Sequence, residues 1–308
     1  MTLHFLKYHG LGNDFIVLHG PDLPPEVPLD LLARRMCDRH FGVGADGLLI
    51  WADAEHADAR MIVMNSDGSR PEMCGNGIRC FALHLQRTLG PRRTFVIDTD
   101  AGVRYCDMGE RDGQVVVTVN MGRADFRREA CLVPPDFGGG NSLDPVEVVM
   151  SGERIVLRLA SMGNPHAVCI VRDPLVDLDA AARAFGRRIS THAAFSRGVN
   201  VEWIRQSPDG LELVVYERGS GLTMACGTGA CAAVAVAHRA GLVDLSREVA
   251  VDLPGGRLWI ALEPSGGGPE PTSGPIAMTG AASFVYAGGV PPDSWIRQHP
   301  DDPMRTLW

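Results

Sequence analysis

One short pattern occurs twice in this chain. Cys74-Gly75-Asn76-Gly77 and Cys226-Gly227-Thr228-Gly229 lie 152 residues apart, and each opens a run of small residues that predicts the start of a helix. Gly12-Asn13 and Gly163-Asn164 repeat at a spacing of 151, and Asn65 and Glu217 each precede their cysteine by nine residues. Three echoes in one register predict one unit written twice. The period is far too long for a solenoid, so the expectation is two similar half-proteins with a cleft between them and two thiols facing each other across it.

Composition narrows what such a duplicated chain can be. At 45% hydrophobic and 21% charged residues it reads as a soluble globular protein, and 308 residues suffice for two cores. No apolar run approaches the roughly 18 residues of a membrane span. Met1 to Tyr8 shows no secretory pattern, so a cytoplasmic location is expected. The net charge of −8 argues against nucleic-acid and anionic-membrane partners but not against a small anionic ligand. Eight cysteines are too dilute for a disulfide scaffold, and Cys37, Cys80, Cys106, Cys131, Cys169 and Cys231 read as buried small hydrophobes.

Short apolar runs predict strands at Phe15–Leu18, Leu48–Ile50, Met61–Met64 and Val115–Val117, and again at Ala167–Val171, Val199–Ile204 and Leu211–Tyr216. A last strand is expected over Ile276–Tyr286. Helical spacing marks Pro28–His40 and Cys74–Leu89 in the first half, then Leu178–Phe185 and Gly227–Arg239 in the second. Regular βαβ alternation is missing, which points to an α+β fold: two pseudo-symmetric domains, each a mostly antiparallel sheet wrapped around a central helix, with the active site in the cleft between them. The first half is expected over 1–121, completed by 276–308, and the second over 122–275. Pro134–Asp144, the Gly/Pro/Ser-rich Pro264–Pro275 and the proline-bearing tail to Trp308 read as surface segments.

A thiol at a helix N-terminus meets unpaired backbone N–H groups and the positive end of the helix dipole, which favour thiolate. The same N–H groups can hold a carboxylate. Inverting a carbon beside a carboxylate requires removing a proton from one face and delivering another to the opposite face. Two opposed thiols, one in each protonation state, can do this without a cofactor, and the amides would stabilise charge developing on the carboxylate.

At these residues the chain resembles the diaminopimelate epimerase family, cofactor-independent enzymes of the lysine and peptidoglycan pathway. The resemblance runs through His9-Gly10-Leu11-Gly12-Asn13-Asp14-Phe15, Gly42-Val43-Gly44-Ala45-Asp46-Gly47, Asn65-Ser66-Asp67-Gly68-Ser69 and Met73 to Cys80. It continues through Met162-Gly163-Asn164-Pro165-His166, Val199-Asn200-Val201, Tyr216-Glu217-Arg218-Gly219, Ala225 to Cys231, Asp252 to Gly256 and Met278-Thr279-Gly280. It implies epimerisation of LL- and meso-diaminopimelate, with Cys74 and Cys226 as the catalytic pair and His166 and Glu217 tuning their thiols. It also implies that Gly75-Asn76 and Gly227-Thr228 grip the reacting carboxylate, and that Asn13, Asn65, Asn164, Asn200, Glu217 and Arg218 recognise the rest of the substrate. A homodimer without metal or cofactor is implied as well. Gly47 stands where some members carry a glutamine, the tail beyond Tyr286 is longer than usual, and the loop at Pro264–Pro275 looks inserted.

Other readings keep some support. Taken singly, His166 fits a packed or capping histidine, and Asn13 or Asn200 fits a turn. Gly42-Val43-Gly44-Ala45-Asp46-Gly47 matches the G-x-G-x-x-G dinucleotide fingerprint, but a helix precedes it and a strand follows, the reverse of what that motif needs. A sister proline or hydroxyproline racemase is disfavoured by Glu217-Arg218 and Asn76, which suit a longer substrate with two polar ends. A dithiol redox protein lacks a C-x-x-C, and a zinc module lacks two further ligands at suitable spacing.

Overall fold

The structure, a computed structural model, describes residues 2–24, 27–134, 137, 141–263 and 274–291. The expected surface segments fall partly or wholly outside this range: residues 135, 136 and 138–140 of the first loop, 264–273 of the second, and the tail from 292 onward.

Along the chain the elements are β1 (Leu3–Gly10), β2 (Asn13–His19), α1 (Leu29–Met36), β3 (Gly47–Ala52), β4 (Ala59–Asn65), α2 (Gly75–Leu89), β5 (Thr94–Asp98), β6 (Arg104–Arg111) and β7 (Gln114–Asn120). They continue as β8 (Val146–Met150), β9 (Glu153–Ser161), β10 (Pro165–Ile170), α3 (Leu178–Ser190), β11 (Asn200–Ser207), β12 (Gly210–Glu217), β13 (Gly221–Leu222) and α4 (Gly227–Arg239). The last are β14 (Val249–Leu253), β15 (Gly256–Leu262), β16 (Ile276–Ala281) and β17 (Ser283–Val290). Two compact units result, one of Met1–Val119 with Gly280–Trp308 and one of Asn120–Thr279. No helix among the described residues is long and apolar enough to cross a membrane.

The fold is α+β, and the two units use one pairing scheme. In the first, β1 and β2 form an antiparallel hairpin, β2 runs parallel to β3 around α1, β3 is antiparallel to β4, β4 parallel to β5 around α2, and β5 antiparallel to β6. In the second, β9, β10, β11, β12, β14 and β15 repeat those five steps in order, with α3 and α4 in the crossovers. The parallel registers set equivalent positions, because Phe15 faces Gly47 in one unit and His166 faces Asn200 in the other.

Each unit closes on one buried helix. Residues Gly75 to Leu85 of α2 are all buried, against β1, β2, β4, β5, β6 and β17. In α4, Gly227 and Gly229 to Ala237 are buried against β9 to β12, β14 and β15. A helix apolar on all sides gains little at a surface, and the Ala- and Gly-rich faces of α4 let strands approach closely. The hairpin tips then aim polar residues: Leu11 (φ 55°) and Gly12 (φ 81°) make a two-residue turn of the I′ kind that delivers Asn13 at the head of β2.

Four expectations change, the first being that the helix expected over Leu178–Phe185 runs on to Ser190. The helix expected over Pro28–His40 stops at Met36, because Val43 and Gly44 return their N–H groups to the Met36 carbonyl and Asp38 accepts from the His40 and Phe41 amides. The strand expected over Ile276–Tyr286 is two strands, broken at Ala282. Of the six cysteines expected to be buried, five are, whereas Cys169 is only partly so.

Candidate active site

In the first unit Cys74 is the N-cap of α2, with extended backbone (φ −136°, ψ 114°) and its sulfur accepting from the Gly77 amide at 3.4 Å. First-turn N–H groups of a helix have no partner within it, so a thiol cap followed by Gly75 and Asn76 forms an anion-attracting turn. The Asn76 side chain is fixed from both sides: Arg79 Nη2 donates to its Oδ1 and its Nδ2 donates to Asn13 Oδ1, each at 3.0 Å. Arg79, fully buried, also donates to the Gly75 carbonyl at 3.0 Å and to the Ala281 carbonyl at 3.5 Å. Asn65, at the exposed end of β4, donates through Nδ2 to Ser69 Oγ at 2.9 Å.

Asn13 is tied further back. Its Nδ2 donates to Asp46 Oδ2 at 2.7 Å, and Arg39 bridges Asp46 to Asp14, at 2.8 and 2.7 Å. Buried Lys7 pairs with Asp14 at 2.7 Å and donates to the Gly44 carbonyl. Burial would raise the Asp14 pKa, but the hydrogen bonds from Arg39 and Lys7 outweigh it and hold the carboxyl at about 2. A depressed carboxyl pKa adds stability that is present above the unfolded value and disappears as the proton binds. Unfolding free energy should therefore fall between roughly pH 4 and pH 2, and Asp14→Asn should flatten that limb in urea titrations. An unchanged limb would show that the network does not couple to folding.

In the second unit Cys226 caps α4 in the same way (φ −128°, ψ 111°), its sulfur accepting from the Gly229 amide at 3.4 Å and lying 3.5 Å from Thr228 Oγ1. Asn164, after the positive-φ Gly163, donates to Thr228 Oγ1 at 3.3 Å and accepts from His166 Nε2 at 3.0 Å. His166 Nδ1 is 2.6 Å from Glu202 Oε1, both side chains fully buried. Asn200 bridges strands, donating to the Pro165 carbonyl at 3.2 Å and accepting from the Arg218 amide at 2.9 Å. Glu217 accepts from Thr223 Oγ1 at 2.5 Å and hydrogen-bonds the Cys226 thiol. The Arg218 guanidinium is exposed and donates to the Arg197 carbonyl.

The electrostatics depart from the expectation of a lowered thiol pKa. Burial above all, then the Glu217 charge, raises the Cys226 pKa well above the ordinary thiol value, and the hydrogen bonds with Thr228 and the Gly229 amide do not offset them. Cys226 is therefore a thiol in this unit. Burial also raises Glu217, against hydrogen bonds from Thr223 and Cys226, and raises Glu202, against His166 and backbone N–H groups. The thiols of Cys37, Cys80, Cys106 and Cys131 are pushed by burial to about 12, which leaves them unreactive.

Thus Asn13, Gly75 and Asn76 gather at the Cys74 cap, and Asn164, His166, Glu217, Gly227 and Thr228 gather at the Cys226 cap. Sequence reasoning gave no site role to Glu202, Lys7 or Arg39, nor to Asp14 and Arg79, which it met only as parts of motifs. Glu202 left one signal, an acid inside the apolar run Val199 to Ile204.

The architecture is that of a known group of duplicated α+β proteins. It is shared with a hydroxyproline epimerase from Agrobacterium vitis (TM-score 0.67, 18% identity, 96% of this chain and 92% of that one). It is shared equally with a PhzF-family phenazine biosynthesis protein from Bacillus anthracis (TM-score 0.67, 17% identity, 94% and 99%). Such distant identities define the fold alone. The diaminopimelate epimerase family profile matches residues 5–127 and 158–285, and the chain belongs to that family. Relatives named diaminopimelate epimerase include those of Halothermothrix orenii, 39% identical over 94% of this chain and 98% of that protein, and Moorella thermoacetica, 41% identical over 94% and 100%.

Proposed function

We propose that this protein interconverts LL- and meso-diaminopimelate by exchanging the proton on one α-carbon, with Cys74 and Cys226 as the two acid-base groups. The observation that carries this reading is the duplicated cap: each unit places a cysteine sulfur at the mouth of a buried helix, with two small or polar residues following. A thiolate takes the α-proton, the other cysteine's thiol gives its proton to the opposite face, and the two have exchanged states. No electron moves between groups, and no second substrate is needed.

The raised Cys226 pKa supports Cys226 as the proton donor in the half-cycle in which Cys74 is the base, and the two exchange roles in the reverse direction. Gly75-Asn76 and Gly227-Thr228 bind the reacting carboxylate through first-turn amides, which strengthen as charge builds on its oxygens. Glu217 tunes Cys226 directly, and His166 acts on that side through Asn164. Asn13, Asn65, Asn164, Asn200, Glu217 and Arg218 recognise the substrate's polar ends, where the Arg218 fork suits the distant carboxylate. The protein works in the cytoplasm as a homodimer, as the family resemblance implies.

One pH effect follows. The Glu217 charge raises the Cys226 pKa, so Glu217→Gln should lower it and move the alkaline limb of kcat/KM to lower pH. A limb that stays in place would separate Glu217 from Cys226. The reading as a whole is tested by incubating purified protein with LL-diaminopimelate, proline and hydroxyproline without added cofactor and separating stereoisomers by chiral chromatography. Conversion of diaminopimelate alone is expected; turnover of proline or hydroxyproline instead would transfer the chain to the sister activity.

A further inference from the structure

The repeat gives the second thiol's surroundings an internal control. Phe15 and His166 occupy equivalent register positions on β2 and β10, and Leu49 and Glu202 lie two residues beyond Gly47 and Asn200 on the partner strands, hence on one face. Beneath the α2 start, a Cβ on Gly77 would come 3.0 Å from Leu49 Cδ2; beneath the α4 start, a Cβ on Gly229 would come 2.8 Å from Glu202 Oε1. Phe15 and Leu49 are buried, and so are His166 and Glu202. The fold therefore accepts two apolar side chains under one capping thiol and retains an imidazole and a carboxyl of similar size under the other. Packing alone does not require the polar pair.

Counting protons defines the pair. Asn164 Oδ1 can only accept, so His166 Nε2, at 3.0 Å, carries a hydrogen. His166 Nδ1 and Glu202 Oε1, 2.6 Å apart, then hold one further proton between them. Glu202 Oε2 is buried without a hydrogen-bond partner, which a neutral acid's carbonyl oxygen tolerates far better than half of a carboxylate, and the pull of the Glu202 and Ala167 backbone N–H groups on the carboxyl is smaller than the cost of its burial. The positive end of α4 favours a carboxylate, but the Gly229 N–H is committed to the Cys226 sulfur. The titratable groups facing the pair are Glu217 on β12, Cys226 at the α4 cap and Cys131, whose thiol donates to the His166 carbonyl. None of them brings a positive charge that would hold Glu202 ionised.

We propose that Glu202 is a positioning residue of the Cys226 half-site, a buried carboxylic acid that donates to His166 Nδ1 so that His166 Nε2–H fixes the Asn164 carboxamide, and through it Thr228, beside the Cys226 sulfur. The proposal rests on the epimerase reading for its kinetic consequence but not for its protonation state. The proton stays within the pair throughout turnover.

Glu202→Gln keeps an N–H donor toward Nδ1 and should retain kcat within about threefold, with an unshifted pH profile. Glu202→Leu installs the residue the other unit uses at the equivalent place and should lower kcat about 10²-fold through misplaced Asn164 and Thr228. Nitrogen-15 NMR of His166, assigned by loss of its signals in His166→Gln, should show a neutral imidazole protonated at Nε2 at about pH 8, in the wild type and in Glu202→Gln. An imidazolium in the wild type, a Glu202→Gln variant as impaired as Glu202→Leu, or a Glu202→Leu variant as active as the wild type would each overturn the proposal. Should Glu202→Leu not fold, Glu202→Gln and the NMR spectrum decide. Should the wild type itself not turn over diaminopimelate, the epimerase reading fails while the imidazole spectrum still decides the state of Glu202.

Discussion

Cys226→Ala is expected to reduce epimerisation by at least about 10² to 10⁴, and Cys74→Ala by as much, because each removes a group that must take or give the α-proton. The structural cost should be small by comparison. Each sulfur accepts one first-turn amide, from Gly77 or Gly229, so its loss is that of a helix cap, about 0.5–2 kcal/mol. Circular dichroism should show folded protein whose thermal midpoint moves little while chiral chromatography finds almost no product. A variant with near-normal turnover in both directions would remove that cysteine from the mechanism.

Arg79→Met should have the largest effect on stability. Arg79 is fully buried and donates to the Gly75 carbonyl, the Asn76 side chain and the Ala281 carbonyl. Methionine fills much of the volume and satisfies none of these acceptors, each costing about 1–3 kcal/mol when left bare, for a total near 3–5 kcal/mol. The thermal midpoint should drop by roughly 10 °C. Lysine should not rescue, since one ammonium cannot reproduce the guanidinium's spread of donors. Surviving folded protein should show a raised KM, because Asn76 loses the contact that holds its amide toward Asn13. A midpoint within a degree or two of wild type would mean that water or neighbouring groups take over those acceptors.

How much of this was legible beforehand depended on the range of the interaction. Helix starts are local events: an apolar small-residue run opened by a cysteine put the starts of α2 and α4 at Cys74 and Gly227, the first one residue early because Cys74 is the cap, and α4 ends at Arg239 as its periodicity implied. Helix ends proved less local. The chain after Met36 turns because Val43 and Gly44 reach back to one carbonyl, a choice helical spacing does not encode. The break at Ala282 was hidden because an alanine between two apolar runs looks like continuation.

The site divides in the same way. Cys74, Cys226, Asn13 and Asn164 carry their positions in the repeat, so a reader of the sequence meets them twice. Glu202 occurs once, and its partner His166 lies 36 residues away, joined to it only by the parallel pairing of β10 and β11. The raised Cys226 pKa likewise depends on long-range contacts. A dipole argument at the helix start predicts a lowered value, and burial together with the Glu217 carboxylate reverses it.

The most direct measurement is turnover of LL-diaminopimelate in D2O under reducing conditions, without added cofactor, with stereoisomers separated and deuterium counted by mass spectrometry. Two-thiol catalysis predicts meso product carrying one α-deuterium, delivered from the thiol opposite the one that removed the original proton. Meso product that retains both of the substrate's α-hydrogens, or no conversion and no exchange by folded protein with both thiols reduced, would contradict it.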